Sequence, residues 1–281
     1  MELDLNGRLI MLNDPGKLFT IVSSQLGEYG VRAAYCGKKQ PAILEALKRE
    51  KPDIFLYVCG PDDTVNLADI SSISSQNKNV KLIVCAFSSF EERLCKYEKA
   101  GALKTVIMPM EPERLSLLLR SHLIAGEHSR IPDIADFLYI SGISVRPKGI
   151  IPICRIIEIC CERPFCLRHP SKTRLVYNVA NEFGMKSVNL DRLIRYVATK
   201  EYDRRTISRI TGRTVWWRPG NIPFIAILCD KYTTHLNGCP HKVPKKAEII
   251  QPETITEEIK SRKHKRKWIY VGKPKTDKPD P

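Results

Sequence analysis

The sequence lacks several features that would place it in a specialised class of protein. It has no apolar run near the roughly 18 residues that a membrane-spanning helix needs. Its first ten residues have neither the basic flank nor the long apolar core of a secretory signal. Its ten cysteines have irregular spacing, unlike a disulfide scaffold. We therefore expect a cytoplasmic protein with reduced thiols and no membrane attachment.

The composition is otherwise that of a folded protein. Hydrophobic residues make up 43% and charged residues 27% of the 281 residues, which excludes wholesale disorder. At roughly 100 to 200 residues per domain, this length predicts about two domains. No nucleophile–base pair or metal-binding triad stands out, so we expect neither an enzyme nor a cofactor.

The net charge of +15 is unevenly distributed along the chain. Residues 1–125 contain 16 Lys and Arg against 15 Asp and Glu, whereas residues 126–240 contain 18 against 10 and residues 241–281 contain 12 against 6. A basic half indicates a polyanionic partner, with nucleic acid considered before an acidic membrane surface. Charge alone leaves open a basic solvated surface without a specific partner.

Residues 1–125 alternate short apolar segments with helical ones. The apolar segments predict five strands, at Arg8–Leu12, Val31–Cys36, Asp53–Val58, Lys81–Ala86 and Thr105–Met108. The helical segments are Lys17–Glu28, Gln40–Glu50, Val65–Ser75, Phe90–Ala100 and Glu111–Leu123. This alternation predicts a doubly wound five-stranded parallel sheet, an α/β domain whose chemistry is expected at the carboxyl ends of the strands.

Four short stretches of this half are landmarks: Pro52-Asp53, Ala86-Phe87-Ser88, Gly101-Ala102 and Met108-Pro109. With them, this half resembles a response-regulator receiver domain. The resemblance implies an acidic pair for Mg²⁺, a phosphoacceptor aspartate, a hydroxyl residue and a lysine at the strand ends. The corresponding positions hold Asn13-Asp14, Val58, Cys85 and Met108.

These substitutions remove the expected chemistry. Valine has no oxygen to accept a phosphoryl group, and methionine cannot pair with one. A single acidic residue supplies too few oxygen ligands to bind Mg²⁺ well. We interpret the nearby Asp62 and Asp63 as part of a solvated turn. We expect a receiver that does not work by aspartyl phosphorylation and serves as a folding and dimerisation platform.

The second half begins with a predicted linker, 126–132, and continues as an all-α effector domain over 133–238. The predicted helices are Asp133–Ile140, Lys148–Glu162, Lys172–Phe183, Ser187–Lys200, Arg204–Thr211 and Asn221–Thr233. Gly184 is expected to end the third helix, and Ser187 to cap the fourth. This order predicts a helix–turn–helix.

The fourth helix carries the prediction of DNA binding. Its core stripe is Leu190, Leu193, Ile194 and Val197. The opposite side holds Arg192, Arg195 and Thr199, flanked by Asn189, Asp191 and Tyr196. Arginine and asparagine donate to base edges, although a basic helix face that is only solvated stays the alternative.

Ten short stretches in residues 135–233 carry a family resemblance. In order, they are Phe137-Leu138-Tyr139, Gly142-Ile143, Lys148-Gly149, Leu175-Val176-Tyr177, Val179-Ala180, Phe183, Asp191-Arg192, Ile194-Arg195, Pro219-Gly220-Asn221 and Phe224-Ile225-Ala226. With these stretches, the segment resembles the effector domain of the stage zero sporulation protein A family. The resemblance implies that Ser187–Lys200 enters the major groove. It retains Arg192, Arg195 and Asp191, whereas Asn189 and Tyr196 depart from the pattern.

Contacts of two further kinds are expected beside this helix. Lys172, Arg174 and Lys186 are candidate phosphate clamps that fix register on DNA. The resemblance implies that Tyr202–Arg218, with five arginines, touches the sigma subunit of RNA polymerase. A DNA-backbone contact and a plain basic surface are the alternatives.

The remaining signals are weaker. Cys160, Cys161, Cys166 and His169 fit no standard zinc spacing, so we expect buried thiols without metal and keep thiol sensing, here or at Cys85, as an alternative. Residues 239–281 are basic and expected to be disordered.

The leading hypothesis is a homodimeric regulator on double-stranded DNA. The rival is a protein-interaction antagonist that pairs with an intact regulator without reading DNA.

Overall fold

The computed structural model describes residues 5–59, 67–87, 91–126, 129–143, 150–163, 167 and 171–238. The strands are β1 (Leu9–Leu12), β2 (Arg32–Tyr35), β3 (Ile54–Val58), β4 (Lys81–Ala86) and β5 (Lys104–Ile107). They form one parallel sheet in the order β2-β1-β3-β4-β5. This is a doubly wound arrangement. The chain adds β2 on one side of β1 and then β3, β4 and β5 on the other side, so the order in which strands are added reverses between β1 and β3.

Eleven helices are present in the described part of the chain. Five accompany the sheet: α1 (Lys17–Gly27), α2 (Gln40–Glu50), α3 (Leu67–Gln76), α4 (Glu91–Lys99) and α5 (Pro112–Ile124). Six follow it: α6 (Ile131–Ile140), α7 (Ile150–Glu162), α8 (Ser171–Glu182), α9 (Ser187–Asp203), α10 (Thr206–Thr211) and α11 (Asn221–Gly238). The predicted α/β sheet followed by a helical region is confirmed.

The sheet is buried on both faces because successive side chains of a strand point in opposite directions. Ile10, Leu12 and Leu56 pack on one face in a core shared with α1 and α5. Met11 and Phe55 pack on the other face in a core shared with α2, α3 and α4. The central strands β1, β3 and β4 therefore contain a single charged residue, Lys81 at the start of β4, whereas the edge strands β2 and β5 are partly exposed.

Helix α5 is buried on its polar side as well as its apolar side. The sheet covers one side and α6 packs against the helix. Arg120 is only 1% exposed, and its guanidinium carbon lies 4.4 Å from the centre of the Tyr29 ring. Ion pairs link the two parts of the chain, between Lys104 and Asp133 at 3.2 Å and between Arg114 and Asp136 at 2.7 Å.

The predicted linker 126–132 extends too far. Ile131 and Pro132 are buried in the first turn of α6, where a proline is compatible with the helix. The Ser129 hydroxyl donates to Glu158 Oε1 at 2.9 Å, and the Arg130 amide donates to the same oxygen. The part of this segment that the structure describes is therefore fixed to α7.

The described residues up to His235 form one compact unit. The division of this part into a receiver-like domain and a helical effector domain stays a prediction. None of the helices in the described residues combines the length and apolar character that crossing a bilayer requires.

Candidate DNA-binding surface and strand-end site

The turn between α8 and α9 is a Schellman motif. Gly184 has a φ of +62°, its amide donates to Asn181 O at 3.0 Å, and the Met185 amide donates to Ala180 O at 2.8 Å. This pair of bonds satisfies carbonyls at the end of α8 in a conformation that favours glycine. The prediction that Gly184 ends this helix is confirmed.

The predicted cap of the next helix is wrong by one residue. Lys186 is the N-cap of α9, with ψ of 137° and no side-chain cap hydrogen bond, and Ser187 is the first residue of the helix. The chain is extended at Lys186, whose carbonyl accepts from the amides of Asn189 and Leu190 at 2.9 and 3.3 Å. The Ser187 side chain is half-buried.

The inner side of α9 holds it against the rest of the helical region. Leu190, Ile194 and Val197 are buried as the periodicity predicts, whereas Leu193 is only half-buried. Helix α8 packs against α9 and contributes the buried Val179. The orientation of α9 about its own axis is fixed by this packing.

The outer side of α9 collects most of the predicted DNA-binding residues. The exposed side chains are Asn189, Arg192, Arg195 and Tyr196, with Lys186 exposed just before the helix and Thr199 half-buried further along. Residues three and four apart on a helix are neighbours, so these side chains form one strip. We call this set the α9 strip. Arg174 of α8 is also exposed, whereas the side chain of Lys172 is not among those that the structure describes.

Asp191 has a different place from the other predicted DNA-binding residues. Its Oδ2 accepts from Arg195 Nη2 at 3.1 Å, and its Oδ1 accepts from Asn221 Nδ2 at 2.6 Å. The same Asn221 nitrogen lies 3.1 Å from the Asp191 carbonyl. Asp191 therefore ties α9 to the start of α11 and positions Arg195. Sequence reasoning placed Asn221 at the start of the last predicted helix but missed this contact.

The segment Tyr202–Arg218 presents aromatic and cationic groups to solvent. Trp216 is 82% exposed and Trp217 65%. Its five arginines are exposed, at 204, 205, 209, 213 and 218. The Tyr202 hydroxyl donates to Trp216 O at 3.0 Å, and Arg218 lies 3.5 Å from Asp203. These contacts hold the loop near the end of α9.

At the strand-end site of the sheet, the buried polar side chain is that of Asn13. Asn13 is 6% exposed; its Nδ2 donates to Val58 O at 3.2 Å, and its Oδ1 accepts from the Val58 amide at 2.6 Å. The Asn13 amide thus joins the ends of β1 and β3. The neighbouring Asp14 accepts from the Gly16 amide at 3.2 Å and lies 3.8 Å from Lys38 Nζ.

The other three predicted positions supply no phosphate ligand. Val58 and Met108 pack against the apolar core at the sheet, half-buried. Cys85 is fully buried, and this burial raises the pKa of its thiol to about 12, so it stays protonated at neutral pH. Asp62 and Asp63 lie outside the described residues.

The cysteine cluster differs from the predicted one. Cys166 and His169 lie outside the described residues, whereas Cys160 and Cys161 meet Cys229 of α11 through thiol hydrogen bonds. Sequence reasoning missed Cys229 because it belongs to a distant helix. Among the described residues, no group of three or more His, Cys, Asp or Glu could hold a metal ion.

Comparison of the sequence with protein-family models and with curated proteins gives no match. Among solved structures, a response regulator from Thermotoga maritima is 20% identical, with 42% of this chain and 98% of that chain covered and a TM-score of 0.37. RcsB from Salmonella enterica serovar Typhimurium, bound to the promoter rprA, is 12% identical, with 79% and 98% covered and a TM-score of 0.34. Likenesses this weak assign no function, and the fold rests on the strand order.

Proposed function

We propose that the protein is a DNA-binding transcription regulator of the sporulation-regulator type, with a receiver domain that works without aspartyl phosphorylation. The α9 strip carries the proposal. Most of its side chains are exposed donors on one side of a helix whose other side is buried, and it follows a tight glycine turn. This is the arrangement that a recognition helix needs to enter the major groove.

Within this proposal, the residues of α9 and its N-cap have distinct roles. Arg192 and Arg195 read guanine edges, and Asn189 and Tyr196 contact neighbouring bases or phosphates. Lys186, Ser187 and Thr199 contact phosphates and fix the register. Asp191 positions Arg195 through their 3.1 Å contact. The 17 residues of α9 span roughly 25 Å, enough to cross the groove.

Two copies of the chain would bind adjacent half-sites, about 34–36 Å apart for one turn of DNA. The segment Tyr202–Arg218 would then remain available to the sigma subunit of RNA polymerase. Its exposed tryptophans and arginines are residue types enriched at protein interfaces.

The test of DNA binding is selection from a pool of random duplexes with the full chain. We expect enrichment of one sequence family in two related half-sites, with binding that weakens as salt rises. Enrichment of no sequence, with equal affinity for all duplexes, would contradict the proposal.

The second part of the proposal concerns the receiver. Val58, Cys85 and Met108 offer no acceptor or anion-binding group, and the Asn13 amide is already bonded to Val58. We expect no gain of a phosphoryl group, measured by intact-mass spectrometry, after incubation with acetyl phosphate and Mg²⁺. An intact receiver domain is the positive control. Stable phosphorylation would overturn this part of the proposal without affecting the first.

One observation favours the rival function, a protein-interaction antagonist. A groove of about 960 Å³ lies beside α9, lined in part by Tyr177, Val188 and Pro223. Tyr177 and Val188 are 56% and 57% exposed, a pair of apolar side chains that a protein partner could cover. Equal affinity for enriched and random DNA, together with formation of a mixed dimer with an intact regulator, would favour this rival.

A further inference from the structure

Three thiols from two helices meet in the helical region. Cys160 and Cys161 lie at the end of α7, and Cys229 lies within α11. Cys229 hydrogen-bonds with both. Thr233, one turn after Cys229, lies with its hydroxyl 3.8 Å from Cys161 Sγ and donates to Cys229 O at 2.9 Å. Hydrogen bonds thus bring the three sulfurs together before any oxidation.

The thiols differ in access to solvent. Cys160 is 3% exposed, whereas Cys161 and Cys229 are half-buried. A small oxidant can therefore reach Cys161 more readily than Cys160. Cys85 and Cys154 are fully buried, and Cys95, although exposed, belongs to α4 of the sheet region.

The thiols also differ in acidity. The hydrogen bond from Cys229 lowers the pKa of Cys161 to about 7, against the opposing effect of burial, with further help from Thr233 and the charge of Arg130. The hydrogen bonds to Cys160 and Cys161, together with burial, raise the pKa of Cys229. At pH 7, about half of Cys161 is present as the nucleophilic thiolate, whereas Cys229 remains a thiol.

We propose that Cys161 and Cys229 form a hydroperoxide-sensitive pair that oxidises to a disulfide joining α7 to α11. The Cys161 thiolate attacks the hydroperoxide, so an S–O bond forms, the O–O bond breaks and an alcohol leaves after taking up a proton. Cys229 then attacks the sulfur of this sulfenic acid, so the S–S bond forms and water leaves with the thiol proton. Two thiols lose two electrons and two protons, and the hydroperoxide is reduced to alcohol and water.

Chain geometry favours this pairing over one between the adjacent cysteines. Consecutive Cα atoms are about 3.8 Å apart, below the roughly 4.4–6.8 Å that disulfides span. Cys160 and Cys161 are consecutive in a helix, so a bond between them would strain or break the last turn of α7. A bond from Cys161 to Cys229 avoids that strain, because it joins cysteines of two different helices. It would form on the helix whose first residue, Asn221, holds Asp191 of α9.

The test uses the full chain, reduced and purified without oxygen, then treated briefly with hydrogen peroxide. Remaining thiols are blocked by alkylation, and peptides are mapped by mass spectrometry without reduction. We expect the Cys161–Cys229 cross-link to be the first and main product. In Cys229→Ser we expect Cys161 to accumulate as a sulfenic acid that dimedone traps, because its partner is missing. Cys95→Ser, an exposed cysteine elsewhere, is the matched control and should leave the cross-link unchanged.

The cross-link map of the wild-type chain decides the proposal whether or not the variants fold. A main product containing Cys160 and Cys229 would overturn the assignment of Cys161. Earlier oxidation of Cys95, with Cys161 still reduced, would overturn the proposed sensitivity. The readout is chemical and independent of DNA binding.

Discussion

The strand-end site and the α9 strip are two polar regions that use their polar groups in opposite ways. At the strand-end site, Asn13 bonds to the backbone of Val58, and Asp14 bonds to the Gly16 amide. On the α9 strip, Arg192 and Arg195 are exposed, and the ion pair of Arg195 with Asp191 is a surface contact. Groups already paired inside a protein stabilise it, whereas exposed donors are available to a ligand. The first region therefore supports the fold and the second is the candidate for recognition.

The largest expected effect on stability is at Asn13. Asn13→Ala leaves the Val58 amide and carbonyl without their side-chain partners, which costs about 3 kcal/mol in the free energy of unfolding. Urea unfolding measures this cost. The DNA affinity of the variant, measured under conditions where it is folded, should not change. Asp14→Asn is the matched control, with an expected cost within about 0.5 kcal/mol because its bonds are partly exposed. Equal costs for the two variants would contradict the assigned role of Asn13.

A pH effect is expected at His122, in the helix between the sheet and α6. Burial is the main cause that lowers the pKa of His122 to about 4, with the charges of Lys104 and Lys81 adding to it. The unfolded chain takes up a proton near pH 6.5, but the folded chain does not until about pH 4. The stabilising effect is therefore present above pH 6.5 and is lost as the pH falls toward 4.

This linkage predicts a loss of about 2 kcal/mol between pH 7 and pH 5, beyond the contribution of other groups. The variant His122→Phe has no group that titrates at this position. Between pH 7 and pH 5 its free energy of unfolding should therefore fall by about 2 kcal/mol less than that of the wild-type chain. Parallel pH profiles of the two proteins would show that His122 is not the cause.

A smaller effect is expected at Asn221, which links α9, the helix of the α9 strip, to the start of α11. Asn221→Ala removes the 2.6 Å bond to Asp191, and we expect a loss of about 1 kcal/mol in stability and a several-fold loss in DNA affinity. Asn178→Ala, at an exposed position of α8, is the control and should change neither. A change in stability alone would mean that Asp191 does not position Arg195 for DNA.

The smallest effect is expected at Trp216, which is 82% exposed. Trp216→Ala should leave both the free energy of unfolding and the DNA affinity within about 0.5 kcal/mol, if Tyr202–Arg218 contacts the sigma subunit. A larger loss of DNA affinity, measured by fluorescence anisotropy with the selected duplex, would place this segment on DNA instead.

Periodicity predicted the elements well because each depends on neighbouring residues. The apolar run Lys81–Ala86 was predicted as the strand that the structure has, and Gly184 was placed at its helix end. The linker was drawn too long because Pro132, usually a sign of a loop, fits the first turn of α6.

Contacts between distant elements could not be predicted in this way. Cys229 meets Cys161, and Asn221 meets Asp191, only because α11 packs back on the earlier helices. Similarly, Arg120 is buried with its guanidinium over the Tyr29 ring, although the two residues are far apart in the sequence. Nothing in the local sequence around these residues reports the partner.

The most direct test of the account is the affinity of the full chain for its selected duplex and for a scrambled duplex of equal length. Arg192→Ala and Arg195→Ala should each lower affinity for the selected duplex by about 1–3 kcal/mol, with a much smaller loss on the scrambled duplex. Asn13→Asp, at the strand-end site, should change neither affinity in protein that remains folded. Equal losses on both duplexes, or none, would contradict the claim that the α9 strip reads DNA.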